Sequence, residues 1–289
     1  MDNRQVLFVL GMGRSGSSAL TRVLSLCGGS LPEPLLGPTP GNPTGHWEPL
    51  DALRLDDDFL VRHGSGWHDP RLRFPYEMDC GAREEFVERI EAFLRNCVTG
   101  PLTVIKEPRI VALAACWFDA ARRMGLAIKI AVPVRHPNDV TASLIARDLI
   151  SPELSSALWL KYNLLTERWS RPHPRVFIEY RNLLSDWRRQ VTRVSEALAI
   201  NLSADEADID AFLDPALCHS RDTASPTEPF ERPWMGEVYT ALAAAARDGG
   251  VDISLMDDVF AQYHGGQPAF QRAIDEFSRR FAPARSGSE

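Results

Sequence analysis

Val6-Leu7-Phe8-Val9-Leu10-Gly11-Met12-Gly13-Arg14-Ser15-Gly16-Ser17-Ser18 is the stretch that decides the fold. Five consecutive apolar residues, with no polar alternation, predict a strand buried on both faces. A glycine-rich loop follows. Ser17 to Leu26 then repeats apolar residues at helical spacing, with Leu20, Val23 and Leu24 on one face and Cys27-Gly28-Gly29 as the stop. Strand, glycine loop and helix in that order open an α/β fold.

Outward from this unit the same alternation continues. Residues 28–49 are rich in Gly and Pro and read as a long ordered loop, a length that compact domains tend to reserve for function. Helical patterns cover 50–63 and 83–97, Leu102 to Ile105 reads as a second buried strand, and Ile110 to Met124 as a helix. Ala127 to Val134 is a third strand, and Pro137 suits the start of the helix that Asp139 to Leu149 continues. A helix over 153–170, a strand from Arg175 to Glu179 and a helix from Asp186 to Ala199 complete the pattern. Beyond 200 the chain is helical with polar breaks. The expectation is a single domain over 1–289, with a parallel sheet of four or five strands flanked by helices, P-loop NTPase-like in topology. Residues 282–289 read as a frayed tail.

Three phosphate-binding patterns compete for residues 11–18. Gly11-x-Gly13-x-x-Gly16 fits the dinucleotide fingerprint, which also needs a second strand ending in an acid about 20 residues on. Leu31-Pro32-Glu33-Pro34 stands there, and its prolines exclude a central strand. The triphosphate loop G-x-x-x-x-G-K-[ST] fits at Gly11, Gly16 and Ser18, but Ser17 occupies the lysine position, so the β/γ-phosphates lose their point charge. In the third reading, backbone N–H groups at the helix start cradle one anionic group. Ser15, Ser17 and Ser18 add hydroxyl donors, and Arg14 adds a planar cationic fork. On the loop alone this third reading is favoured over an ordinary glycine-rich turn.

Arg14-Ser15-Gly16-Ser17-Ser18 resembles the R-S-G-[ST]-[ST] form of the 5′-phosphosulfate loop of sulfotransferases that use PAPS (3′-phosphoadenosine 5′-phosphosulfate). Arg135-His136-Pro137-Asn138-Asp139-Val140-Thr141-Ala142-Ser143 is similar to the family's R-x-P-x-D-x-x-x-S element, which binds the cofactor's 3′-phosphate. The resemblance covers roughly residues 5–200 and includes Tyr180-Arg181-Asn182-Leu183, similar to the family's Y-x-x-L segment after a strand. It implies a cofactor site formed by Gly13, Arg14, Ser15, Gly16, Ser17, Ser18, Arg135 and Ser143. It also implies transfer of the sulfuryl group to a hydroxyl or amine, with release of PAP. Position agrees independently: Arg135 ends a strand, where open α/β sheets bind ligands, and Ser143 lies two helical turns further on. Arg221 and Arg232 are further candidates for the nucleotide, or plain exposed arginines.

Sulfuryl transfer is an in-line displacement whose charge the protein stabilises and whose acceptor needs a base. Asn42-Pro43-Thr44-Gly45-His46-Trp47-Glu48 resembles the N-P-x-G-[HYF]-[WF]-E stretch of a bacterial sulfotransferase group, in which a glutamate faces the transferring group. Glu48 is therefore the favoured base, with Glu33 as rival and His46 third; a helix cap is the other reading of Glu48. Cytosolic branches place a histidine in K-x-H, where this chain reads Lys106-Glu107-Pro108-Arg109. Lys106 is then the candidate stabiliser of the bridging oxygen, or a solvated strand-end lysine. Trp47, Trp67, Trp117, Trp159 and Trp169 hint at an apolar acceptor pocket, with a core position the commoner reading of each except Trp47, which neighbours the proposed base.

A net charge of -7 argues against general affinity for nucleic acid or anionic membranes, so an anionic ligand must be gripped by a local positive site. Five dispersed cysteines form no metal or disulfide framework, which points to a reducing compartment. The apolar run at 6–10 is too short to span a membrane, and with no signal peptide before it the chain reads as cytoplasmic. No metal ligation pattern is visible. The expected partner is a small-molecule, carbohydrate or lipid acceptor. The rival readings are a small-molecule kinase with a degenerate loop and a nucleotide-binding regulator without turnover.

Overall fold

The structure is a computed structural model that describes residues 4–73, 77–203, 206–213 and 224–281. The chain begins β1 (Gln5–Val9), α1 (Ser17–Leu26), α2 (Leu50–Arg62), α3 (Cys80–Cys97), β2 (Leu102–Ile105), α4 (Ile110–Arg123) and β3 (Ala127–Val134). It continues α5 (Pro137–Asp148), α6 (Pro152–Ser170), β4 (Arg175–Glu179), α7 (Tyr180–Ser185) and α8 (Trp187–Leu198). Helices α9 (Glu206–Phe212), α10 (Trp234–Ala245), α11 (Ile253–Gly265) and α12 (Gln271–Arg280) follow.

The four described strands form one parallel sheet in the order β2-β1-β3-β4. The alternation within β1 explains its unbroken apolar run. Val6, Phe8 and Leu10 enter one core with α2, α3, α4 and α6, while Leu7 and Val9 enter a second core with α1 and α8. All five are at most 2% exposed. A strand covered on both faces has no solvent side, so it carries no polar alternation. Each large side chain buried this way contributes roughly 1.5–3 kcal/mol.

The element boundaries follow local chemistry. Helix α3 starts three residues ahead of the predicted 83, because the Asp79 carboxylate caps the Ala82 amide. The His136 side chain caps α5 at the Asn138 amide and Pro137 takes the first turn. One element escaped the sequence reading: α7 turns directly out of β4, so Tyr180 is held against the sheet's C-terminal edge. The long loop is tied down by bridges at Ser30–Thr103, Leu35–Pro49 and Thr39–Asn42. No helix among the described residues is long and apolar enough to cross a membrane. The predicted tail at 282–289 lies outside the described residues.

Parallel pairing has one consequence for function. Val9 pairs with Ala131 and Phe8 with Ile130, so the loop after β1 and Arg135 after β3 leave the sheet at the same edge. At the turn into α1, Gly16 has φ +88°, and a Cβ there would lie 2.2 Å from the Tyr180 ring. Both the backbone and the ring therefore demand glycine. Gly16→Ala is expected to destabilise the protein by about 2–4 kcal/mol, combining left-handed strain with overpacking. Urea denaturation that detects less than about 1 kcal/mol of loss would mean the Tyr180 ring is free to yield.

Candidate active site

Loop 10–16 runs from the C-terminal end of β1 to the N-terminus of α1. No side chain caps that helix and no acid occupies its first turn. The amides of Gly16, Ser17 and Ser18 meet no acceptor among the described residues. Three free amides at the positive end of a helix dipole make an anion cradle. Arg14, itself at φ 71°, points its guanidinium across the cradle, where Nε donates to Ser143 Oγ at 2.9 Å. Arg135 Nη1 donates to the Arg14 carbonyl at 2.8 Å, and its guanidinium lies 5.0 Å from the Tyr180 ring centroid. The structure thus brings both predicted halves, 129 residues apart at Arg14 and Ser143, into direct contact.

A cavity of about 530 Å³ opens on this clasp, lined by Arg14, Gly16, Ser17 and Ser18, by loop residues 40–44, and by Arg135, Ser143 and Tyr180. That is a ligand-sized space. Arg135 Nε is buried there without a hydrogen-bond partner, 3.7 Å from Asp139. Burial lowers the Arg14 pKa, and the neighbouring Arg147 and Arg135 cations lower it further. An anion between these groups would relieve both costs. Gly13 lines the adjoining cavity, whereas Ser15 is 2% exposed and lines neither.

The adjoining cavity, about 170 Å³, shares Arg14, Ser17, Ser18 and Asn42 with the first and adds Leu36, His46, Glu48, Trp67, Lys106, Arg109 and Arg147. Lys106 comes off the end of β2 only 3% exposed and is no solvated strand-end lysine. Its ammonium pairs with Glu48 Oε1 and reaches the His46 carbonyl at 3.2 Å and Ser18 Oγ at 3.3 Å. The Glu48 carboxylate is 7% exposed and caps nothing, because α2 starts at Pro49 with no side-chain cap. Asn42 Nδ2 donates to Ser18 Oγ at 3.3 Å and to the Gly45 carbonyl at 2.7 Å, which folds the long loop onto the cradle. His46 Nε2 bonds Thr39 Oγ1 at 2.9 Å, and burial lowers its pKa.

Other sequence candidates sit elsewhere. Glu33 is exposed and accepts the Leu35 amide, away from both cavities. Arg232 is exposed, and Arg221 lies outside the described residues. Trp47 does not line either cavity: its ring lies under the Arg22 guanidinium and meets Phe212 edge to face, because successive side chains at 47 and 48 leave the loop on different sides. Trp67, expected in the core, lines the pocket instead, while Trp117 and Trp159 are core residues. The sequence reading missed Arg147 and the packing of Tyr180 over Gly16. Arg147 lies one helical turn beyond Ser143, a spacing that marks a shared face.

Behind the pocket, Glu107 is fully buried and grips Arg109 twice, at Nη1 (2.6 Å) and at the backbone amide (2.7 Å). Burial raises the pKa of Glu107 and, together with the Glu107 carboxylate, that of its neighbour Asp56.

No protein-family model and no curated protein matches the chain. Its structure is similar to the sulfotransferase domain from the Synechococcus PCC 7002 olefin synthase, at 18% identity, 92% coverage of this chain, 96% of that one and TM-score 0.47. It is also similar to the sulfotransferase domain from the curacin biosynthetic pathway, at 16% identity, 95% and 98% coverage and TM-score 0.43. A third likeness is to sulfotransferase STF1 from Mycobacterium tuberculosis H37Rv, at 17% identity, 89% and 76% coverage and TM-score 0.40.

The Lys106–Glu48 pair is testable as an energetic unit. Lys106→Met leaves a buried carboxylate alone and is expected to cost about 3–5 kcal/mol, whereas the double change with Glu48→Leu recovers much of that. Denaturation of the two variants measures it; a double variant no more stable than Lys106→Met would show that the pair does not act as a unit.

Proposed function

We propose that this chain is a sulfotransferase that moves the sulfuryl group of PAPS to a hydroxyl or amine and releases PAP. The observation that carries this reading is the clasp of Arg14, Arg135 and Ser143. It puts the helix-start amides and the Arg135 guanidinium on one cavity, with a buried carboxylate–ammonium pair in the space beside it, and we read these as two anion positions. A donor with phosphates at both its 5′ and 3′ positions needs two such positions. In this reading the free amides of Gly16 to Ser18, with Ser17 and Ser18 hydroxyls, hold the 5′ side. Arg135 and Ser143 hold the 3′-phosphate, and Gly13, Arg14 and Ser15 shape and charge the loop between them.

The donor supplies an activated sulfuryl group on a phosphate leaving group. The chain's own residues do the rest. Glu48 takes the acceptor's proton as the new O–S bond forms and the bond from sulfur to the bridging oxygen breaks. Before that step the Lys106 ammonium pairs with the Glu48 carboxylate. Once Glu48 is protonated, the Lys106 ammonium is released to face charge growing on the leaving oxygen. Ser18 Oγ, within reach of that ammonium, links it to the cradle. Cationic charge from Arg14, Lys106 and the helix amides carries the transfer without a metal. The free cysteines Cys27, Cys97 and Cys116, whose thiols burial raises to about 11, 12 and 12, fit a reducing cytoplasm.

Two measurements test the reading. Calorimetry is expected to find magnesium-independent binding of PAP that Arg14→Ala or Arg135→Ala each weakens by at least tenfold, the loss of a charge-assisted contact; unchanged affinity would remove both residues from the site. For transfer, Glu48→Gln is expected to keep PAP affinity and lose about 10²–10⁴-fold in turnover, the usual worth of a general base. Surviving activity in Glu48→Gln, with loss in Glu33→Gln, would move the base to the exposed loop.

A further inference from the structure

The smaller cavity holds more positive charge than sulfuryl transfer uses. Arg14, Lys106, Arg109 and Arg147 line it, against Glu48 as its single acid. Lys106 is committed to Glu48 and Arg14 to Ser143 at the border with the larger cavity. Arg109 and Arg147 remain. Each is anchored from behind by acids that do not line the space: Arg109 by Glu107 and Asp57, Arg147 by Asp148 through Nε (2.6 Å) and Nη2 (2.7 Å). The anchoring leaves one arm of each fork open. Arg109 Nη2 and Arg147 Nη1 donate to nothing among the described residues.

Two anchored guanidinium forks with open arms thus line the same space as Glu48, and a planar cationic fork matches a carboxylate. Besides the polar Ser17, Ser18, Asn42 and His46, the lining includes apolar Leu36, Leu53 and the Trp67 ring, over which the Arg147 guanidinium sits at 5.2 Å. The space is also compact: about 170 Å³ against about 530 Å³ for the neighbouring cavity. Arg147 packs at the border of the two, 3.2 Å from where a Gly41 Cβ would stand, yet it does not line the larger one.

We propose that the acceptor is a compact hydroxy acid, its carboxylate read by Arg109 and Arg147 while its hydroxyl faces Glu48. This rests on the sulfotransferase reading above and deepens it to a substrate class. The acid itself takes no part in the chemistry; it fixes which hydroxyl reaches the base. A neutral acceptor of the same shape would leave both forks unpaired in a half-closed site, so discrimination should be strong.

The test compares isosteric pairs that differ by one charge: 4-hydroxyphenylacetate with 4-hydroxyphenylacetamide, and 3-hydroxybutyrate with 3-hydroxybutyramide. Binding of each to the PAP-loaded protein is measured by calorimetry, and transfer from PAPS by release of PAP. The acid of at least one pair is expected to bind and turn over at least tenfold better than its amide. That ratio should fall to within about twofold in Arg147→Gln and in Arg109→Gln, while PAP affinity holds. Arg109 belongs to a buried network, so Arg109→Gln is judged only if it folds; Arg147, with a side chain 28% exposed, carries the test alone otherwise. Equal binding of acid and amide in both pairs overturns the inference, as does a loss of PAP affinity in Arg147→Gln as large as that in Arg135→Ala. Wild-type protein that fails to bind PAP overturns the donor reading instead, and the acceptor inference with it.

Discussion

The pairing of β1 with β3, strand beside strand and pointing the same way, is the constraint from which the site follows. Parallel strands cannot be joined by a tight turn, so each is followed by a helix, and every strand delivers its C-terminal residue to the same edge of the sheet. The glycine loop leaves β1 there, and Arg135 leaves β3 beside it. Two segments distant in sequence thereby become neighbours, and hydrogen bonds from Arg135 to the Arg14 carbonyl and from Arg14 to Ser143 lock them. Tyr180, brought to the same edge by β4 and α7, seals the clasp with its ring over Gly16.

On this frame the charges are arranged against the protein's overall sign. The chain carries a net charge of -7, yet Arg14 of the clasp has both Arg135 and Arg147 as cationic neighbours. Burying Arg14 and setting like charges beside it both lower its pKa and work against folding. Such strain is a common mark of a site shaped for a ligand rather than for stability. The Lys106–Glu48 pair has a similar character. Buried ion pairs seldom stabilise more than a well-packed apolar pair of equal size would. Its position between the cradle and the apolar wall suits chemistry better than architecture.

The long loop over 28–49 joins these parts. Its Gly and Pro content denies it regular structure, but Asn42, Thr39 and the bridges at Ser30 and Leu35 hold it in one course. That course carries Glu48 inward to Lys106 and turns Trp47 outward to Arg22 and Phe212. A single residue of register thus separates a group in the pocket from one packed on the helix layer.

Much of this was legible in the sequence because its causes are local. Buried parallel strands require unbroken apolar runs, helix faces require their spacing, and a turn at positive φ requires glycine. These rules alone placed the four strands, the loop and the edge where Arg135 and Ser143 stand. What shares a pocket is not local. Tyr180 over Gly16, Trp67 rather than Trp47 at the wall, the Glu48–Lys106 pair and the free arms of Arg109 and Arg147 all join segments dozens of residues apart. Sequence spacing carries no distance between such groups; only the packing of helices and loops on a shared sheet edge sets it. The sequence by itself determined the strands and most of the helices, and the tertiary structure decided which side chains meet.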